Sequence, residues 1–532
     1  DPEPSAILVI NCPTALASST TIAEAVVASV DRHRLAALRP KSILTNWLGA
    51  SAARSARHLF AASSIATFET PDAAARGFMH LVRYRRAQDA LMRTPSSMRG
   101  ATIDKQRAGE VFARVQADGR TVLSEPEALA VIAAYGVPVA ETEVAADAAA
   151  AGAVAARLLA RYTAVAVKIH SPDITHKSDV GGVRLALTSA EAVEAAASDM
   201  LRHIRARRPD ARLQGFTVSP MIRRSHAHEL IIGMSVDATF GPLVLFGAGG
   251  TSVEVMQDTA LALPPLDMQL ARDVMRQTRV HRLLEGYRDR PLADLDAIAD
   301  VLVRVGQMAA DHPAIAEIDI NPLLADDAGV VALDARIVVL RPSDPPRTDM
   351  AIRPYPAEWE KTLRHPGTGD VLLRPIRPED EALYGAFMAG IAPEDHRLRF
   401  FAAKQSLSHR LLARLTQIDY AREMAFVAIE AASGHLLGVA RYVADPDRLR
   451  AEYAILVRTD LKGQGLGWAL MQHLIDHARA TGVGTLYGSV LAENTVMLKM
   501  SREMGFSVKS NSDDRALLDV ELTLAAAAGA AL

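Results

Sequence analysis

Near its start the chain carries four consecutive apolar residues, Ile7-Leu8-Val9-Ile10, the pattern of a strand buried on both faces. Similar runs follow at Ser42–Leu48 and Ile65–Phe68, with helical spacing between them, first near Thr21–His33. The alternation predicts a small α/β unit on a parallel sheet. Pro71, a favoured first-turn residue, opens a long amphipathic helix that the pattern carries to about Arg93. Thr94-Pro95-Ser96-Ser97 reads as a connector, and a larger mixed α/β region runs from about Asp104 to Val339. The adjacent prolines in Arg341-Pro342-Ser343-Asp344-Pro345-Pro346 stop any helix and mark a second linker. A last module extends from about Met350 to Leu524, before an Ala/Gly tail, Ala525–Leu532, expected to fray. No repeat of fixed period is visible.

Composition narrows the class. The 532 residues are 49% apolar and 23% charged, enough for about three or four hydrophobic cores, which excludes disordered, collagen-like and disulfide-scaffold chains. With 59 basic against 62 acidic residues there is no excess to neutralise a phosphate backbone, so no nucleic acid partner is expected. One cysteine, Cys12, allows no internal disulfide and fits a reducing, cytoplasmic setting. No apolar run reaches the roughly 18–20 residues of a membrane span, and no basic-then-apolar leader is seen. A strand so close to a non-Met first residue predicts a fragment whose upstream part is missing or removed.

The C-terminal module holds the clearest chemistry. Ala451–Val457 alternates into a strand, and Arg458-Thr459-Asp460-Leu461-Lys462-Gly463-Gln464-Gly465-Leu466-Gly467 leads into an apolar helix from Trp468. A strand, a glycine-rich turn and a helix N-terminus present unpaired N–H groups and a positive dipole end to an anion. Leu486–Leu491 reads as another strand; Glu493-Asn494 then opens a helix with Gly505 as its C-cap.

Lys462-x-x-Gly465-x-Gly467, Asn494 and Met504-Gly505-Phe506 together resemble the acyl-CoA-binding core of the GNAT acetyltransferases. Arg374–Asp380, Arg399-Phe400-Phe401, Leu415–Tyr420 and Arg422–Ala428 are similar to one branch, the bacterial protein lysine acetyltransferases called Pat. In these the transferase is fused behind domains of an ADP-forming acyl-CoA synthetase, and the resemblance covers essentially the whole chain. It implies a GNAT fold over residues 350–524. Acetyl-CoA would lie against Leu456, Val457, Asn494 and the backbone from Lys462 through Gly463, Gln464, Gly465 and Gly467. Glu452 matches the family's general base. A lysine amine, pKa about 10.4, must lose a proton before it can attack. The plainer alternative for Glu452 is an exposed strand residue facing Arg441 or Arg458. Two departures stand out. Lys462 replaces the usual Arg or Gln, where a cation keeps the anion-binding logic. Ser501 stands where many relatives place the tyrosine that protonates the departing thiolate. Because that thiolate leaves easily, Ser501 reads as a helix-surface residue, with Tyr487 and Asn494 as substitute acids. The module's histidines, such as His396 and His473, lack metal-ligand spacing and read as surface or satisfied core groups.

In the middle region, Val165–Ile169 is a buried-type strand with a single lysine, Lys168, followed by a segment containing His176-Lys177-Ser178-Asp179. A second glycine loop, Gly247-Ala248-Gly249-Gly250-Thr251, follows Glu229 and precedes Glu254. Glu317-Ile318-Asp319-Ile320-Asn321 and Asp334 place hard oxygen ligands of the kind Mg²⁺ takes on strand positions. Each acid alone would serve a salt bridge or turn equally well. As an ordered set they resemble an ATP-grasp domain of the ADP-forming acyl-CoA synthetase type over residues 101–341. The resemblance implies Lys168, Glu229, Gly249 and Gly250 at ATP, Asp319, Asn321 and Asp334 at the metal, and His176 as a phosphate relay. Residues 1–100, with Asn46-Trp47-Leu48-Gly49 and Tyr84-Arg85-Arg86-Ala87-Gln88, resemble the flavodoxin-like CoA-ligase domain. They offer no Gly-flanked histidine, so the stretch given is not expected to complete the ligase cycle alone.

The expected architecture is therefore an α/β multidomain chain: flavodoxin-like, ATP-grasp and GNAT. The expected activity is acetyl-CoA-dependent N-ε-acetylation of a lysine on an AMP-forming acyl-CoA synthetase, with the synthetase-like part regulatory and a homo-oligomer by analogy. The alternatives are an ADP-forming acyl-CoA ligase component using ATP and Mg²⁺, a non-enzymatic acyl-CoA or nucleotide sensor, and transfer to a small amine.

Overall fold

A computed structural model describes residues 6–14, 17–36, 41–91, 95, 103–174, 177–250, 258–288, 290–401 and 408–524. His176, Thr251, Glu254, Ala525–Leu532 and the first connector apart from Pro95 lie outside them. The chain divides into two compact units, Asp1–Arg93 and Thr94–Leu532.

In the first unit, β1 (Ala6–Asn11), β2 (Ser42–Trp47) and β3 (Ala66–Phe68) form an all-parallel sheet in the order β1-β2-β3. Helices Ser19–Ala36, Arg54–Ala62 and Pro71–Leu91 connect or follow the strands. Trp47 and Phe60 are fully buried and meet edge to face at 4.6 Å, and the Trp47 indole donates to the Ser19 carbonyl at 3.0 Å. The run Ile7–Ile10 departs from expectation. Ile7, Leu8 and Ile10 are 41%, 40% and 54% exposed, because β1 has a strand neighbour on one side only among the described residues.

The second unit begins with two sheets. Strands β4 (Glu143–Ala145), β5 (Val165–His170), β6 (Val183–Leu187) and β7 (Gly215–Pro220) pair in the order β4-β7-β5-β6. Helices Ala148–Leu159 and Ala190–Arg207 cover them, their N-termini capped by Asp147 and Ser189. A six-stranded sheet follows, built from β8 (His228–Asp237), β9 (Gly241–Ala248), β10 (Thr259–Ala262), β11 (Ile315–Asp326), β12 (Gly329–Ala332) and β13 (Ala335–Val339). Its core is shared with helices Lys105–Ala117, Glu125–Ala134, Met268–Met275 and Leu295–Asp311.

The C-terminal sheet has eight strands in the order β14-β15-β16-β17-β18-β19-β21-β20. They are β14 (Lys361–His365), β15 (Gly369–Pro375), β16 (Glu423–Glu430), β17 (Leu436–Ala444), β18 (Arg450–Val457), β19 (Thr485–Leu491), β20 (Ser507–Ser510) and β21 (Leu517–Thr523). All neighbours are antiparallel except β18 and β19, which run parallel and pair only over Arg450–Glu452 against Thr485–Tyr487. Beyond that register β18 stays with β17 to Val457 while β19 stays with β21 to Leu491, so the sheet opens at Glu452. Ala451, Tyr453 and Val457 share a core with helix Leu466–Ala480. Leu456, on the opposite face, joins residues of helix Glu381–Ala389 and the adjoining Ile391. Strand alternation puts Glu452 on that second face too. Among the described residues, no helix is long and apolar enough to cross a membrane.

Candidate functional site

The opening between β18 and β19 leads into the glycine turn. Gly463 and Gly465 hold φ of +74° and +90°, a region that favours glycine, and Gly465 sits at the N-terminus of helix Leu466–Ala480. No side chain caps this helix, and the first helical-type bond onto the turn is from the Ala469 N–H to the Gly465 carbonyl at 3.0 Å. The N–H groups of Gly463 through Trp468 have no partner among the described residues, which is the donor array an anion requires. Gly467 is different: a Cβ there would meet nothing closer than Val457 Cγ2 at 3.6 Å.

Of the side chains around the turn, Ser501 alone departs from the sequence reading. The Lys462 ammonium pairs with Asp395, from the first turn of helix Pro393–Phe400, and not with open space. Gln464 donates to the Asp460 carbonyl at 2.9 Å. Asn494 caps helix Thr495–Glu503 by accepting the Met497 N–H at 3.2 Å. Ser501 is not a helix-surface residue: it is buried, with Oγ 3.4 Å from the Tyr453 hydroxyl, whose pKa burial pushes up to about 12. Tyr487 stands beside Glu452 in register, under the Arg450 guanidinium at 4.3 Å.

Glu452 is exposed at the mouth of the opening. Of the two cations expected to face it, Arg458 pairs with Asp460 at 2.7 Å and Arg441 with Glu423 at 3.3 Å. Arg399 feels Glu452; burial and the neighbouring Arg441 hold it below the usual guanidinium value, and Glu452 opposes them. Tyr384 lies within the field of both arginines, its hydroxyl pushed up to about 12 by burial. Helix-borne Arg399 comes within the field of Glu452 through tertiary packing, which no local sequence signal announces. His473 Nε2–H donates to the Trp359 carbonyl at 2.8 Å, whereas His396 is buried with its Nε2 unpartnered among the described residues, so it is not a satisfied core group.

A second constellation lies in the middle region. Lys168 on β5 meets Glu125 Oε1 at 2.7 Å and Asp334 Oδ2 at 3.3 Å, and Lys177 meets the other oxygen of Glu125 at 2.5 Å. Glu125 is placed by a capping box: Ser124 precedes the helix, and the Glu127 carboxylate returns to the Ser124 N–H at 2.8 Å. Burial would raise the Glu125 pKa, but the two ammonium groups outweigh it and hold the carboxyl below its ordinary value. Lys168 is correspondingly held above its own, Glu125 and Asp334 overcoming burial. Sequence reasoning missed Glu125, because an acid in a first helical turn is so common that it signals nothing.

The glycine loop closes on the same region. Gly249 passes so near Leu230 that a Cβ would lie 2.4 Å from its backbone, and a Cβ on Gly250 would lie 1.9 Å from Glu229 Oε2. The Gly250 N–H donates to Asn321 Oδ1 at 3.0 Å, so the Asn321 oxygen already holds the loop. Asp319 Oδ1 is buried with no hydrogen-bond partner among the described residues, and burial, with Glu317 and Asp334 nearby, raises its pKa. Asp334 is likewise raised, by burial and by Glu125. Two carboxyls penalised for ionising fit a divalent cation, though no cluster of three His, Cys, Asp or Glu side chains is assembled among the described residues.

Comparison with known proteins decides the family. Residues 114–339 match the ATP-grasp domain family model, and residues 393–506 match the acetyltransferase (GNAT) family. The β subunit of ADP-forming acetate–CoA ligase I from Pyrococcus furiosus is 35% identical over 233 residues, 44% of this chain and 98% of the relative. An acetyltransferase of Pseudomonas aeruginosa is 36% identical over 146 residues, 27% of this chain and 78% of the relative. The chain belongs to the ADP-forming acetate–CoA ligase family and carries a GNAT acetyltransferase domain. A longer relative, ADP-forming acetate–CoA ligase I of Archaeoglobus fulgidus, is 32% identical over 333 residues, 63% of this chain. The chain spans under half, 46%, of that enzyme's length. The open N–H turn and Glu452 thus belong to the GNAT domain, whose cosubstrate is acetyl-CoA, and the Lys168 constellation belongs to the ATP-grasp domain.

Proposed function

We propose that this chain is a protein N-ε-lysine acetyltransferase of the Pat type, in which Glu452 is the general base. What supports the reading most is one observation: the sheet opens at Glu452, and β18 then leads straight into six consecutive backbone N–H groups without partners among the described residues. The acetyl-CoA pyrophosphate rests on Gly463, Gln464, Gly465, Leu466, Gly467 and Trp468 at the positive end of the helix. The pantetheine arm lies between β18 and β19 along Leu456 and Val457, near Asn494. Glu452 removes a proton from the lysine amine, directly or through a water, and the amine attacks the thioester carbon. Backbone N–H groups near Leu456 stabilise the oxyanion. The tetrahedral intermediate collapses with release of the CoA thiolate, which needs no dedicated acid, in keeping with a buried Ser501.

The acceptor is an AMP-forming acyl-CoA synthetase, a reading carried by the likeness of Arg374–Asp380 and Arg399–Phe401 to the Pat branch. Acetylation of its active-site lysine silences it. The ATP-grasp domain is the regulatory part; Lys168, Glu229, Gly249 and Gly250 would hold ATP, and Asp319, Asn321 and Asp334 would hold Mg²⁺, which neutralises phosphate charge when bound. A homo-oligomer is proposed by analogy, from the large surfaces of ligase-like domains.

One observation favours a second reading. The intact Lys168–Glu125–Lys177 network fits a working ligase component, whose turnover would require His176. Incubating the chain with acetyl-CoA and a purified AMP-forming acetyl-CoA synthetase, and separately with ATP, acetate and CoA, tests both. Lysine acetylation without CoA-dependent ADP formation supports the transferase; the reverse result supports the ligase.

A further inference from the structure

The segment Thr459–Lys462, between β18 and the glycine turn, is clamped from one side. Asp395, on helix Pro393–Phe400, is only 7% exposed, and both of its oxygens are used. Oδ2 accepts the Thr459 hydroxyl at 2.6 Å, and Oδ1 accepts the Lys462 ammonium. Thr459 Oγ1 in turn accepts the Ala392 N–H at 2.8 Å, one residue before that helix. One buried carboxylate therefore fixes both ends of Thr459–Lys462, the segment that sets where Gly463 and Gly465 present their N–H groups. The same helix reaches across the opening at a second point, where Arg397 pairs with Glu493 Oε1 at 2.6 Å, next to Asn494.

The pair is asymmetric. Lys462 is 44% exposed on its side chain and Asp395 only 9%, so the lysine can solvate itself without its partner and the aspartate cannot. A lysine acting on the pyrophosphate as a point charge would point its ammonium at the turn's N–H array. Here it points to Asp395 and cancels that negative charge beside an anion site.

We propose that Asp395 is a positioning residue for the acyl-CoA turn, and that Lys462 serves the bound anion by neutralising Asp395 and tethering the turn, while the backbone N–H groups make the contact. The inference rests on acetyl-CoA binding at this turn. Three consequences follow. Removing Lys462 leaves an unpaired buried carboxylate beside the pyrophosphate, which repels it. Removing the charge of Asp395 loosens the turn. Removing both relieves the repulsion, so the double variant binds better than the lysine variant alone.

The test is acetyl-CoA titration of the full chain by calorimetry, with kcat and KM measured alongside. Asp395→Asn raises Kd and the acetyl-CoA KM about fivefold to tenfold at unchanged kcat. Lys462→Met raises both by about 30-fold or more, and the Asp395→Asn/Lys462→Met pair recovers part of that loss. Asp395→Glu restores binding in part. An unfolded variant would lose kcat as well, so the KM-against-kcat split separates positioning from misfolding, and Thr459→Val provides a milder break in the same clamp. The proposal is overturned if Asp395→Asn binds acetyl-CoA as well as or better than wild type while Lys462→Met loses affinity that the double variant does not regain. That pattern would put the ammonium directly on the phosphate. If wild type itself does not bind acetyl-CoA, the function proposed above fails, a result distinct from either.

Discussion

Lys168 and Glu125, 43 positions apart, form an ion pair of 2.7 Å that joins the four-stranded sheet to the first turn of a helix packed on the six-stranded one. Glu125 is buried and shared with Lys177. A carboxylate in that position answers to two cations, so its loss is felt at both.

Glu125→Gln is expected to destabilise the ATP-grasp domain by about 3–5 kcal/mol near neutral pH, since it leaves buried cations short of a partner. The pH dependence has a definite sign. Glu125 is held below its ordinary 4.5, so its contribution is complete above that value and is lost as pH falls through the lowered one. Lys168 is raised above 10.5, so its share is complete below that value and is lost as pH rises through the raised one. Denaturant melts across pH should show the variant with a shallower acid limb than wild type.

The glycine turn separates two substitutions that look alike in sequence. Gly465 holds φ of +90°, so Gly465→Ala strains the turn by about 1–2 kcal/mol and raises the acetyl-CoA KM. Gly467 lies in the helix, and a methyl group there would keep 3.6 Å from its nearest neighbour, so Gly467→Ala leaves stability unchanged or slightly improved. Thermal melts and acetyl-CoA titrations of the two variants check the contrast.

His477 offers a third test. Its Nδ1 lies 2.9 Å from the Tyr442 hydroxyl in a buried site, and burial holds its pKa down to about 3 from an ordinary 6.5. The unfolded chain takes up this proton first as pH falls. Its contribution is therefore complete above 6.5 and erodes between 6.5 and about 3, at up to about 1.4 kcal/mol per pH unit. His477→Gln should remove that part of the acid sensitivity of the GNAT domain, read by melts at pH 7, 6 and 5.

Local patterns make much of this legible. The strand before the turn, the helix after it and the helix opened by Asn494 are written in alternation, glycine spacing and a cap residue, and all three form where those signals lie. The parallel sheet of the first unit is equally readable, but the exposure of Ile7 and Ile10 is not, because an apolar run does not say which neighbours will cover it. Long-range pairing is also out of reach. Asp395 meets Lys462 across 67 positions and Lys168 meets Asp334 across 166, and nothing in either stretch names its partner. Ser501 escapes for the same reason: its burial comes from packing near Tyr453, which sequence spacing does not reveal.

The central claim is that Glu452 drives acetyl transfer to a protein lysine. The direct measurement is the intact mass of a purified AMP-forming acetyl-CoA synthetase after incubation with acetyl-CoA and either the wild-type chain or Glu452→Gln. The account predicts an added acetyl group on the partner with wild type, a rate about 10²- to 10⁴-fold lower with the variant, and equal acetyl-CoA affinity for both. An unmodified partner with wild type, or full activity in Glu452→Gln, would contradict it.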